Sequence, residues 1–538
     1  MCAEFNEEKI VRSINPATLE VNADLPATRV EELKGIVDKA REAQAGWSGL
    51  GMKKRLDYLS KVNRYIIDNV DEITRVITID NGKTLLEALN TELYPVMDAL
   101  NFVASDAGTL FRPEKLSNPI FPIARIESEN IVQPLGVVGM ISPWNFPFAI
   151  PVTGIIFAVA MGNTVVLKPS EFTPLVGDLI KRIFSEAGFP QSVVSVVQGA
   201  GTILGDPLLE TGLDKVVFTG SVPVGRHLMR KAAENLTPIT LELGGKDPFI
   251  VLEDADIERA SSAAVWGSFV NAGQVCASVE RVYVHENIYE KFIDSVLKKT
   301  GGIKVGNGLD SKTDMGPMIN ERRLAQVEDH VQDAVDNGAR VIAGGRRVKG
   351  LPGWFFEPTV IVDVDGGMKC VREETFGPTM PVMTFSDEDE VIAMANDSDY
   401  GLLSSVWTSD IDRARKLSER IEAGTVVINN CLLTYGFAQV PWGGVKNSGI
   451  GVTHSMHGLM EFVRVKNITT QKRMLKEDLW WYPYSQNKYD AMKAGLKSLY
   501  CDGLICRAGD FVDAVKAFRV YPKTRSVAPR PSGPRPSE

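Results

Sequence analysis

The chain is poor in cysteine and poorer in histidine, with six of the first and five of the second in 538 residues. Cys2, Cys276, Cys370, Cys431, Cys501 and Cys506 form no Cys-x-x-Cys pair, and the closest two, Cys501 and Cys506, have no histidine beside them. That excludes a disulfide framework and a zinc-ligand pattern, and no metal is expected. Positive charge is also short: 59 Lys and Arg against 68 Asp and Glu leave a net charge of −9. A general nucleic-acid binder is thereby excluded. No apolar run reaches membrane-spanning length, and the acidic start Met-Cys-Ala-Glu-Phe-Asn-Glu-Glu lacks the basic-then-apolar order of a signal peptide. The expected compartment is a reducing cytoplasm. Internal repeats are missing, and low complexity is confined to the last residues.

What remains is the composition of a folded protein, 44% hydrophobic and 24% charged, at a length that calls for two or three domains. Residues 28–110 read as helices: Val37, Ala40, Ala43 and Trp47 recur at helical spacing, as do Leu59, Val62, Ile66 and Val70. Asp80-Asn-Gly-Lys83 reads as a turn, and the whole segment as scaffold without chemistry. Around Ile123–Val132 the chain becomes an exposed, strand-rich excursion of the kind that pairs with another subunit's edge. From Val137 short apolar strands alternate with helices: Val137–Ile141, Thr164–Leu167, Val193–Val197, Lys215–Phe218 and Ile239–Leu243. The pattern predicts a parallel sheet covered on both faces, with ligands at the strands' carboxyl ends.

Three of those ends carry informative residues. Thr219-Gly-Ser-Val-Pro-Val-Gly225 opens a helix whose free N–H groups suit a phosphate. Lys168 and Glu171 could grip ribose hydroxyls, or could be an ordinary helix start. Glu242 is an acid within an apolar strand, a costly placement unless it is paired or functional. Further on, Phe269-Val-Asn-Ala-Gly-Gln-Val-Cys276 sets a lone thiol among small and polar residues, where Gly273 and Ala277 allow close backbone approach. A lone cysteine is usually inert packing, so the case for Cys276 rests on the rest of the chain.

Taken together these stretches resemble the NAD(P)-dependent aldehyde dehydrogenase superfamily, along the chain to about residue 470. The resemblance is carried by Pro143-Trp-Asn-Phe-Pro147, Leu241-Glu-Leu-Gly-Gly-Lys246, Phe269-x-Asn-x-Gly-Gln-x-Cys276 with Arg281, Glu374-Thr-Phe-Gly-Pro378 and Pro441-Trp-Gly-Gly-Val-Lys446. It is supported by Asn15-Pro-Ala-Thr18 and Phe218-Thr-Gly-Ser221. It implies an α/β fold: a Rossmann-like cofactor-binding domain (1–116 and 138–247), a second α/β catalytic domain (248–458) and protruding oligomerisation strands (117–137 and 459–475). It also implies oxidation of an aldehyde to the acid through a thiohemiacetal and a thioester on Cys276. Asn145 and the Cys276 backbone N–H would form the oxyanion hole, and Glu242 would activate water. For the cofactor it implies Lys168 and Glu171 at the adenine-side ribose, and Gly220, Ser221 and Gly225 against the pyrophosphate. Glu374 would hold the nicotinamide-side ribose, with Phe376, Trp144 and Leu243 nearby. A carboxylate at Glu171 should repel the extra phosphate of NADP, so NAD is expected, with NADP possible through Lys168. No histidine is required, and none of the five lies inside these motifs.

Two other enzymes were weighed. A coenzyme A-acylating relative would have no need of Glu242, and a thiol hydrolase would need no nicotinamide. Trp442, Val270 and Thr153 depart from residues common in the family, and no Arg or Lys flanks the pocket motifs, so an apolar or aromatic aldehyde is expected. The expected assembly is a homodimer or homotetramer.

The tail also departs from the family. Residues 471–538 carry 13 Lys and Arg against 7 Asp and Glu, a net of +6 in an acidic chain. The aromatic run Trp480–Tyr484 and an apolar stripe of Tyr489, Met492, Leu496, Leu499 and Tyr500, flanked by Lys488, Lys493 and Lys497, belong to a C-terminal extension (476–521). The run is expected to pack on the body or on a neighbouring subunit. The stripe is expected to pack on the protein's own surface, with a membrane or partner contact as the alternative. Residues 522–538 read as a disordered Pro- and Arg-rich end.

Overall fold

The computed structural model describes residues 9–118, 126–472 and 477–500. The chain divides into two compact units, Met1–Thr109 with Pro134–Arg464, and Leu110–Gln133 with Val465–Glu538.

In the larger unit three helices, Val30–Gly49, Gly51–Asp68 and Val70–Asn81, arise where the apolar spacing places them, burying Leu33, Val37, Ala40 and Trp47 on the first and Leu59, Val62 and Ile66 on the second. Asp80 and Asn81 finish the third helix rather than forming a turn, a correction to the sequence reading. The chain reverses at Gly82, where φ is 100° and a Cβ would lie 2.7 Å from the Pro317 ring.

A six-stranded sheet follows, in the order Gly449–Ile450, Ile239–Glu242, Lys215–Thr219, Val137–Ile141, Thr164–Lys168, Val194–Val196. All its pairings are parallel except that of Gly449–Ile450. The chain runs outward from Val137–Ile141 to Val194–Val196, then returns to lay Lys215–Thr219 on the opposite side of the first strand. The strand order therefore reverses between the loops after Ile141 and Thr219, the place where such sheets bind ligands.

A second sheet has seven strands, in the order Arg340–Ala343, Thr359–Val362, Thr379–Phe385, Val279–His285, Asp247–Val251, Leu403–Trp407, Thr425–Ile428. Only the outermost pair, Arg340–Ala343 with Thr359–Val362, is antiparallel. Its strands read as almost continuous apolar runs because both faces are covered, and Phe249, Val282, Val360 and Val406 are wholly buried. Glu242 ends the last parallel strand of the first sheet, and Cys276 lies just before Val279–His285 of the second.

The smaller unit holds a three-stranded sheet in the order Val463–Gln471, Ile126–Pro134, Glu114–Leu116, the last two antiparallel, tied by Asn467 and Thr469 to Ser128. Ile123, Ala124 and Arg125 of the expected excursion lie outside the described residues, as do Cys2, Cys501, Cys506 and all of 501–538. A helix, Gln486–Tyr500, forms in the extension, but its faces are the reverse of those expected. Ala491 and Lys488 are buried, and Lys488 donates to the Trp481 carbonyl (2.8 Å). The apolar stripe faces outward: Tyr489 is 60% exposed and Leu496 64%. Trp480, Trp481, Tyr482 and Tyr484 are exposed as well.

Candidate active site

The loop after Ile141 carries Trp144 and Asn145, and its shape is dictated from the helical segment that read as scaffold. Asn81 Nδ2 donates to the Trp144 carbonyl (2.9 Å), and Lys83 Nζ donates to the Asn145 carbonyl (2.8 Å). Lys83 is paired with Glu92 at 2.6 Å, both side chains fully buried. The other Glu92 oxygen accepts from the N–H groups of Phe148 and Ala149, which begin the helix Ala149–Ala160. Glu92 thus caps that helix with negative charge at its positive end. None of this was visible in periodicity, because the bonds to the loop join buried polar groups 56 to 63 residues apart; the only trace was a lysine and two glutamates in an otherwise helical run.

The cysteine loop meets the same point. Asn271, Ala272 and Gly273 all have positive φ, a strained run that persists only where its surroundings hold it. Asn271 donates through its backbone N–H to Glu87 Oε1 (2.7 Å) and through Nδ2 to the Asn145 carbonyl (3.0 Å). Gln274 braces the loop through bonds to the Asn271 carbonyl and the Ile319 N–H. At Gly273 a Cβ would lie 2.1 Å from the Gly377 carbonyl, and at Gly245 one would lie 2.2 Å from the Cys276 carbonyl. The close approach expected beside the thiol is thus made from two sides. Asn145 Nδ2 donates to the Gln274 carbonyl (3.1 Å), which sets the amide two residues from Cys276 and leaves its second N–H to spare.

Cys276 and Glu242 line one buried cavity. Burial and the charges of Glu242, Glu374 and Asp247 push the thiol well above its ordinary range, so it rests protonated. Burial likewise drives Glu242 far above the usual carboxylate range, opposed only by a hydrogen bond from Trp442. A carboxyl raised in this way is suited to proton transfer. Cys276 also lines a tunnel of about 340 Å³. Val270, Phe146, Tyr435, Phe437 and Trp442 are among its walls, and its single charged lining residue is Asp98, which accepts from the Ala438 N–H. Thr153 lies away from this tunnel, on the Glu242 side.

The remaining predicted residues gather at the sheet's reversal. Gly220 donates to the Glu242 carbonyl (3.0 Å), and Ser221 precedes a helix that opens at Val222, three residues before Gly225. No side chain caps that helix, so its first N–H groups face outward for an anion. Gly225 packs on Leu243, where a Cβ would come within 2.6 Å. Lys168 and Glu171 pair at 3.3 Å, and Glu171 also accepts from Gly201 N–H at the start of the helix Gly201–Leu209. Glu374 accepts from the Gly245 N–H (3.1 Å), and burial followed by the charge of Glu280 raises its carboxyl to about 8. Phe376 meets Trp144 edge-on at 5.4 Å between centroids. A buried pair missed in the sequence, Lys246 with Glu280 (2.5 Å), holds this loop through the N–H groups of Thr375 and Phe376. The sequence did mark Lys246 as part of a motif, but gave no sign of its partner.

The profile of the aldehyde dehydrogenase family matches residues 3–468. This chain belongs to that family. It is 38% identical over 515 residues to a 4,4'-diapolycopene aldehyde oxidase of Methylomonas sp, covering 95% of each chain. It is 37% identical over 472 residues to the betaine aldehyde dehydrogenase of Bacillus subtilis, covering 86% of this chain and 94% of that one. Among solved structures, an NAD+ complex of an aldehyde dehydrogenase from Bacillus cereus superposes with a TM-score of 0.82 at 35% identity, over 86% of this chain and 94% of that one. As an aldehyde dehydrogenase, the protein oxidises an aldehyde to the carboxylic acid with reduction of NAD or NADP.

Proposed function

We propose that Cys276 is the nucleophile, Glu242 the general base and Asn145 the oxyanion donor of an enzyme for apolar or aromatic aldehydes. The observation that carries this reading is that Cys276 lines two spaces, an apolar tunnel and a cavity shared with Glu242. As the Cys276 sulfur adds to the aldehyde carbon, its thiol proton passes to the ionised Glu242 carboxylate and on to solvent, and the Asn145 amide and the Cys276 N–H stabilise the oxygen of the thiohemiacetal. A dinucleotide held by these residues would supply the hydride acceptor that turns the thiohemiacetal into the thioester. Water deprotonated by Glu242 then releases the acid from the thioester, which favours this enzyme over an acyl-transferring one.

The residues at the sheet's reversal fit the dinucleotide. The uncapped helix start after Gly220 and Ser221, with Gly225 packed on Leu243, suits the pyrophosphate, and Lys168 with Glu171 suits the adenine-side ribose. Glu374, Phe376 and Trp144 suit the nicotinamide end. Glu171 sets a carboxylate where NADP carries its extra phosphate, so NAD is the preferred cofactor. In this reading 1–116 with 138–247 bind the cofactor and 248–458 carry the nucleophile, while 117–137 and 459–475 join copies. Val463–Gln471 is an edge strand with an exposed row of residues, suited to pairing with a second copy in a homodimer or homotetramer.

An apolar substrate is supported by the tunnel, which has no Lys or Arg in its walls. It is also supported by the relative matched along 95% of the chain, named for 4,4'-diapolycopene aldehyde. The outward aromatic run and stripe, interleaved with Lys493 and Lys497 on a tail of net charge +6, have the composition of a surface that rests on anionic lipid. The enzyme would then work in the cytoplasm at a membrane face. The test is NADH formation with aldehydes of graded length and charge: apolar aldehydes should give the highest kcat/KM, and a preference for anionic semialdehydes would overturn the substrate class.

A further inference from the structure

Behind Cys276, away from the tunnel, lies a cavity of about 40 Å³. Three of its lining residues, Glu242, Thr153 and His454, carry polar atoms without a protein partner: Glu242 Oε1, Thr153 Oγ1 and His454 Nδ1. Each of the three residues is at least 95% buried. Most of the other walls are apolar, among them Met140, Ile150 and Val217. A buried water needs roughly 10–15 Å³ and two to four polar partners, so there is room for a small cluster and there are groups to hold it. Unpartnered buried polar groups are rare and destabilising, and three around one void mark a hydrated site rather than a packing fault.

The position matters because of what fills the tunnel. Once the acyl group is attached to Cys276, its apolar chain occupies the tunnel and closes that route to water. The cavity reaches the same sulfur, and Glu242 lines it but not the tunnel. His454 is held there by the Tyr435 ring (4.9 Å between centroids) and, farther off, by Phe157 (6.4 Å). Burial lowers its pKa to about 4, so the ring stays neutral and offers one donor and one acceptor. The aldehyde dehydrogenase motifs contain no histidine, and the sequence reading assigned none a role.

We propose that Thr153 and His454 are positioning residues for thioester hydrolysis, holding in this cavity the water that Glu242 activates. The proposal rests on the roles given to Cys276 and Glu242. In the step, a water O–H bond breaks with its proton passing to the Glu242 carboxylate. The oxygen bonds to the thioester carbon, and the carbon–sulfur bond breaks to return the Cys276 thiolate. The proton on Glu242 then leaves through the remaining waters, which His454 and Thr153 keep in line.

Rapid mixing of holoenzyme with an apolar aldehyde tests this, using His454→Leu and Thr153→Val beside the conservative His454→Asn and Thr153→Ser. The expected result for the first two is a stoichiometric burst of NADH at the wild-type rate, then turnover slowed by at least about tenfold with KM for NAD unchanged. The conservative variants should recover most of the turnover. Thr153→Val is close to isosteric, so it keeps the test open should His454→Leu fail to fold. Wild-type turnover in both apolar variants, beside an inactive Cys276→Ser, would overturn this proposal alone. An active Cys276→Ser would instead overturn the reading on which it rests.

Discussion

Lys83, on the segment that follows the third helix, donates from its buried ammonium to the backbone carbonyl of Asn145 in the active-site loop, 62 residues away. Its countercharge, Glu92, caps the helix that leaves the same loop. The proposed oxyanion donor, Asn145, is therefore held by a buried ion pair from outside every motif that carries the family resemblance.

Replacing Lys83 by Met leaves Glu92 buried without its countercharge. Denaturant unfolding should show a loss of about 3–5 kcal/mol, and removing the Glu92 charge as well, in Lys83→Met with Glu92→Gln, should restore part of it. The single variant should also lose kcat through the loosened Asn145 loop.

Asn145→Ala removes an oxyanion donor while the Trp144 and Asn145 carbonyls keep their partners. The expected fall in kcat is about 100- to 1,000-fold, with cofactor affinity retained in a fluorescence titration.

A methyl group at position 245 would meet the Cys276 carbonyl at 2.2 Å. Gly245→Ala should therefore displace the nucleophile and lower kcat/KM by about 100-fold or more, whereas Gly35→Ala, which meets nothing, should leave it unchanged.

Glu242 works as a base only when ionised, and burial holds its proton well above the ordinary carboxylate range. The kcat profile should accordingly rise with pH across the neutral to alkaline range, and the rise should vanish in Glu242→Gln. Stability has the opposite slope. Glu374 ionises in the folded protein at about 8 but in the unfolded chain near the ordinary value of 4.5. Between these values the unfolded state binds fewer protons, so this group's contribution is complete below about pH 4.5 and is lost as pH rises through 8. Glu374→Gln should flatten that part of the stability profile.

The exposed tail face is tested with vesicles. The full chain should sediment with vesicles rich in anionic lipid and less with neutral ones, and Trp480→Ser with Trp481→Ser should abolish the difference. Sedimentation unaffected by lipid charge, with those substitutions instead dissolving the oligomer, would assign the face to a second copy.

The parts of the site legible in the sequence were those whose residue types are unusual where they stand. Glu242 in an apolar strand, Cys276 among small residues and the glycines at the strand ends each break a local rule, and the structure brings them to one place. The supports were illegible for the opposite reason. Lys83 reads as the end of a turn and Glu92 as part of a helical scaffold, and only the fold shows them facing each other in the core. The same assumption, that apolar means inward, misread the helix Gln486–Tyr500, where Ala491 and Lys488 are buried and the aromatic face is outside. His454 went unread because its value lies in an atom without a partner, which no spacing reveals.

The central claim is that Cys276 forms the covalent intermediate. NADH formation by Cys276→Ser, measured beside NAD binding by the same protein, tests it most directly. The account predicts loss of aldehyde oxidation with NAD binding intact; oxidation at the wild-type rate would contradict it.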